Sequence, residues 1–150
     1  MRMLDGLRPL SLLMLRLGLA LIFVFYGYPM LFTSAHATAE AFAKIGLPFP
    51  MSYLVGIIEF FGGALLFFGL FTRVAALSLA VVMAGAIWKV HLAKGILAVG
   101  EYQFALIVGL AAFTLATTGA GAISLDRIVY GDGQVGKKPI SAPKPPRGKG

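Results

Sequence analysis

The chain has 150 residues, 59% of them hydrophobic and 13% charged, with a mean hydropathy of +0.88, and that much apolar surface exceeds what a water-soluble core of this size can bury. Its 13 basic and 6 acidic residues give a net charge of +7, but the cations gather at the ends of apolar runs, a pattern of membrane topology that implies no nucleic-acid partner. With no cysteine, thiol and disulfide chemistry, thiolate metal ligation and iron–sulfur centres are excluded.

Four apolar stretches occupy residues 10–32, 51–71, 74–92 and 102–122, each close to the about 20 residues a helix needs to cross a hydrocarbon core of about 30 Å. Backbone groups at that depth must pair within helices or a closed barrel. Barrel strands alternate apolar and polar residues, whereas Leu106 to Leu115 is apolar in both registers. The expected fold is an all-α membrane protein, a four-helix transmembrane bundle in one domain of residues 1–130, followed by a tail of residues 131–150 rich in Gly, Pro and Lys. That tail cannot bury apolar surface and is expected to be disordered and drawn to anionic lipid headgroups.

In chain order, the first stretch competes with a signal-peptide reading because Ala35-His36-Ala37 and Ala37-Thr38-Ala39 resemble cleavage sites. Its length argues for a span, since a signal core has about 7 to 15 apolar residues. Residues 34–45 are alanine-rich and mildly amphipathic, then stop at Gly46, Pro48 and Pro50, which predicts a short surface helix. Only Gly69 to Arg73 separates the second and third stretches. They are therefore antiparallel neighbours, with Thr72 expected as N-cap of the third helix. After the fourth stretch, residues 123–129 carry a capping Ser124 and an early Asp126, the pattern of a short interfacial helix. Arg2, Arg8, Arg73, Arg127, Lys137, Lys138, Lys144, Arg147 and Lys149 fall on one side, Lys44, Lys89 and Lys94 on the other. By the positive-inside rule both termini are cytoplasmic.

At about 100° per residue each helix has one stripe of small residues, the kind that lets helices approach in lipid. The stripes are Arg16, Ala20, Phe23, Gly27; Ser52, Gly56, Glu59, Gly63; Ala76, Ala80, Ala84, His91; and Glu101, Ala105, Ala112, Ala116. Each contains an ionisable residue, and such residues in membranes turn into the bundle. Arg16 and Glu59 are expected to pair there, because an unpaired charge near the bilayer centre costs at least about 2.5 to 3.5 kcal/mol. The competing arrangement has Arg16 snorkelling to the headgroups and Glu59 protonated. His91 and Glu101, at facing ends of adjacent helices, with Glu59 one to two turns below and Tyr26, Trp88, Lys89 and Gln103 at similar depth, would form a polar pocket open to the outside. Its ligand-binding candidates are Glu59, His91, Glu101, Gln103 and Tyr26, an acid and an imidazole among them suited to hydrogen-bonding a carbonyl or passing protons. Interfacial anchoring alone would also produce Trp88, Lys89, Tyr102 and Tyr28. No metal site is expected, and a haem between His36 and His91 is disfavoured because His36 lies beyond its span.

Three segments carry a family pattern: Leu15 to Phe23, Glu59 to Arg73, and Gly119 to Asp126. In order and spacing over residues 10 to 130 the chain resembles the DoxX family of small four-helix membrane proteins. One departure is Tyr26-Gly27-Tyr28-Pro29, where many relatives carry a histidine or similar polar residue before the glycine. The resemblance implies a multi-pass protein of a bacterial or archaeal cytoplasmic membrane, an accessory or quinone-interacting subunit of a membrane redox complex with a soluble or membrane redox partner. No cofactor site is evident in the residues; a quinone is what the family would supply. A small-solute or proton carrier using Glu59, and a structural anchor for a soluble partner, are the alternatives.

Overall fold

The computed structural model describes residues 7–91, 99–121 and 123–130, and its regular structure is helical throughout. The expected tail and most of the connection before the last long helix lie outside the described residues.

Helix α1 (Arg8–Tyr28) has Pro9 in its first turn, where a missing N–H costs nothing. It continues as a π-helical turn, Pro29–Thr33. Pro29 cannot donate to the carbonyl one turn back, so the ladder resumes with a wider loop in which the Ser34 N–H reaches Pro29 O at 2.8 Å. The short helix α2 (Ala35–Lys44) follows, as its alanine pattern predicts, and Gly46 at φ +76° turns the chain away. Helix α3 (Pro50–Phe68) ends at Gly69 in the left-handed conformation. Helix α4 (Thr72–Ala86) passes into a second π turn, Ile87–His91. Helix α5 (Val99–Thr118) precedes Gly119 and Gly121, both at positive φ, and α6 (Leu125–Tyr130).

Among the described residues, three segments are long and apolar enough to cross a membrane: Arg8–Thr33, Pro50–Phe68 and Thr72–Lys89. The fourth expected span, 102–122, corresponds to the 20-residue helix Val99–Thr118, which stops short of 122 at the Gly119 turn. All four long helices contribute to one core that includes Leu19, Phe23, Leu66, Leu79, Val108 and Leu115. The closest pairs are α1 with α3 and α4 with α5, and α3 meets α4 across the tight turn.

Small residues set the register. A Cβ on Gly27 would lie 2.5 Å from the Phe60 backbone nitrogen, and one on Gly63 would lie 2.9 Å from that of Val24, so α1 and α3 touch backbone to backbone. The predicted stripes on these two helices are buried in full. On α4 the expectation holds only in part: Ala76 is buried and Ala80 half-buried but Ala84 is exposed, and the buried face is Thr72, Ala75, Ala76, Leu79 and Met83. Here the small residues belong to the partners. Leu79 fills the notch at Gly62 of α3 and Met83 the notch at Gly109 of α5, so these two large side chains of α4 point inward. Outward, Leu21, Phe25, Phe61, Val81, Ile107 and Leu110 are all more than half exposed, a surface that water would not tolerate and acyl chains would.

Candidate functional site

Among the described residues two ionisable groups are buried within the apolar helices, Arg16 and Glu59, and they lie at different levels. Arg16, 4% exposed, sits at the end of the molecule that carries the α3–α4 turn. Its Nη1 donates to Ala120 O at 3.1 Å and to Ile123 O at 2.8 Å. The turn at Gly69 receives it: a Cβ there would lie 2.5 Å from Arg16 Nη1 and 3.0 Å from Ser124 Cβ, and φ is +66°, two independent reasons for glycine.

Beside this lies Asp126 of α6. Its Oδ1 accepts the Phe71 N–H at 2.7 Å and its Oδ2 the Thr72 N–H at 2.9 Å, while its own N–H donates to Gly69 O at 2.9 Å. The expected cap by Thr72 is therefore corrected. The N-cap place falls one residue earlier, on Phe71 at φ 47°, and a carboxylate more than 50 residues away satisfies the first amides of α4. The Thr72 hydroxyl, buried, has no hydrogen-bond partner among the described residues.

Glu59 is 5% exposed, on the α3 face that meets α1 between Gly56 and Gly63. Its Oε2 is buried without a hydrogen-bond partner among the described residues. The expected ion pair with Arg16 is absent: the ion pair among the described residues is His36 Nε2 with Glu40 Oε1 at 3.3 Å, on exposed α2. The register explains it. With Gly27 against Phe60 and Gly63 against Val24, Glu59 is level with Tyr28, about 12 residues and ~18 Å along α1 from Arg16 at 1.5 Å per residue. Loop carbonyls, not a carboxylate, take up the guanidinium.

Tyr26 is 55% exposed and its ring meets that of Phe104 at 5.7 Å, and Gln103 is exposed as well. Both lie on the outer surface. Helical periodicity places Tyr26 about 100° around α1 from the packed Gly27, which turns its ring out. Trp88 and Lys89 are exposed too, as interfacial anchors would be. The backbone of His91 closes the second π turn and that of Glu101 lies in the first turn of α5. Their side chains lie outside the described residues. A shallow apolar groove lined by Pro48, Pro50, Met51, Tyr53, Leu54 and Ile57 runs along the outward side of α3 and does not include Glu59.

Among the described residues, Glu59 is the buried carboxyl that keeps an unused oxygen inside the apolar helices. It can accept or donate a hydrogen bond according to its protonation. Among the described residues no cluster of three or more metal-ligating side chains occurs.

The model of one protein family, DoxX, matches residues 11–92. The chain belongs to the DoxX family. In sequence the DoxX-like segments are far apart, yet in the fold Arg16, the Gly69–Thr72 turn and the Ala120–Asp126 region meet at one end. The chain is 36% identical over 118 residues to a Bacillus subtilis protein named "Putative oxidoreductase CatD", covering 79% of this chain and 86% of that protein. It is 35% identical over 130 residues to an uncharacterized protein of Haemophilus influenzae, covering 84% and 96%, and 33% identical over 129 residues to the Escherichia coli inner membrane protein YphA, covering 80% and 91%. No solved structure matches. DoxX membership and the apolar helices together make this a membrane protein in contact with lipid.

Proposed function

We propose that this DoxX protein is a four-span bacterial inner-membrane subunit, both termini cytoplasmic, that serves a membrane redox complex by engaging a quinone at Glu59. The observation that carries this reading is the buried Glu59 carboxyl with an oxygen left unpaired in an apolar seam. Such a group carries a desolvation cost of about 1 to 3 kcal/mol until something hydrogen-bonds to it, and ionisable residues kept at membrane depth mark ligand or proton sites. A lipid-soluble carbonyl compound reaches the seam through the bilayer without crossing a polar layer. Met30 and Leu31 of the first π turn cover Gly56, one turn from Glu59, and these flexible side chains can yield to a planar ring. The relative named as an oxidoreductase supports the redox setting, and the inner-membrane relative supports the location. His91 and Glu101 are proposed as further hydrogen-bonding groups toward the outer face.

The test is what leaves the membrane with the protein. Mass spectrometry of lipid-soluble molecules bound to the detergent-purified chain is expected to find a quinone with the parent and much less with Glu59→Gln. Parent protein carrying no quinone, but a proton flux in liposomes that Glu59→Gln abolishes, would establish a carrier instead; a soluble enzyme captured without any ligand would establish an anchor.

A further inference from the structure

The turn end of the molecule is closed by chain that belongs to no long helix. After Thr118 the backbone turns at Gly119 and Gly121, both at positive φ, and Ile123 and Ser124 lead into α6. Ala120 is nine-tenths buried, and a Cβ on Gly121 would lie 3.3 Å from Leu12 of α1. Two devices hold this segment, and they come from different helices. Arg16 of α1 grips two of its carbonyls, Ala120 O and Ile123 O. Asp126 grips the α3–α4 turn through both carboxylate oxygens and its own N–H. The two charges also attract one another, the Asp126 carboxylate acting on the Arg16 guanidinium without contact.

We propose that the segment from Gly119 to Asp126 is a strap that shuts the turn end of the bundle against water, held by Arg16 and Asp126 together and releasable as a unit. Three features make it releasable. Its bonds are few and polar, it contributes little to the apolar core, and α6 beyond it leaves Ile128 and Val129 exposed among the described residues. Beneath it are groups that gain when water arrives: Arg16 Nε and Thr72 Oγ1 are buried without hydrogen-bond partners among the described residues. Closed, the strap forbids access to the α1–α3 seam from the turn end; a ligand of that seam then comes from the bilayer or the opposite end. The inference rests on the turn-end contacts alone and holds whatever Glu59 binds.

The absence of native cysteine makes the test clean. A cysteine at Leu66, fully buried in α3 one turn before Gly69, reports on the seam under the strap. One at Ala39, fully buried under α2, reports on the rest of the molecule. In the full chain in lipid nanodiscs, labelling of Leu66→Cys by a small water-soluble thiol reagent is expected to be slow, and at least about tenfold faster when Asp126→Ala is added, the sign of local opening. Ala39→Cys should label at one slow rate in both backgrounds. Arg16→Lys, which keeps the charge but loses the fork of donors, should open the same site. No acceleration at Leu66→Cys overturns the strap. Equal acceleration at both positions does so too, since it would make Asp126 a stabiliser of the whole fold.

Discussion

At the scale of single residues the buried ionisable side chains Arg16 and Glu59 have different jobs. Arg16 makes charge-assisted bonds to two carbonyls, and replacing it strands both acceptors. Glu59 leaves one oxygen unused. Arg16→Gln is therefore expected to lower unfolding stability in detergent by about 3 to 6 kcal/mol if both bonds are lost, at about 1.5 to 3 per hydrogen bond to a charged group. Glu59→Gln, similar in shape, should change it by less than about 1 kcal/mol. Because the two sites lie ~18 Å apart at 1.5 Å per helical residue, the double change should add to within about 0.5 kcal/mol. Recovery of stability in the double variant would reinstate an ion pair. That both positions are buried was legible in the spacing of small residues. Their partners were not, because depth counted from the edge of each span ignores the register that Gly27 and Gly63 impose.

At the scale of elements, glycine separates contact from open space. Gly27→Ala would set a Cβ against the Phe60 backbone and should cost about 1 to 3 kcal/mol, as overpacking does. Gly18→Ala on the same helix meets nothing within 4 Å and should be neutral or stabilising by up to about 1 kcal/mol. Thermal melts of the pair decide it; equal effects would refute the α1–α3 seam. The helices themselves, the tight turn and the buried faces of α1 and α3 follow from composition and period. The face of α4 did not, since Leu79 and Met83 are drawn inward by glycines on other helices. Nor did the capping of α4, because Asp126 reaches it only once the chain has folded back.

For the whole molecule, the exposed apolar surface gives a membrane protein, and the proposed topology puts Arg16, the α3–α4 turn and the strap on the cytoplasmic side. A cysteine replacing exposed Ala37 should react with an impermeant reagent in spheroplasts, and one at Gly133 should not; the opposite pattern inverts the topology. The deeper claim is that the molecule keeps Glu59 unpaired so that a lipid-soluble ligand can pair with it. Titration of a quinone analogue into purified parent, Arg16→Gln and Glu59→Gln proteins, compared at equal folded fraction, tests this most directly. Saturable binding in the first two is predicted, weakened by about 1 to 2 kcal/mol in Glu59→Gln, the size of one lost buried hydrogen bond. Unaltered affinity in Glu59→Gln, or no binding to the parent, would contradict it.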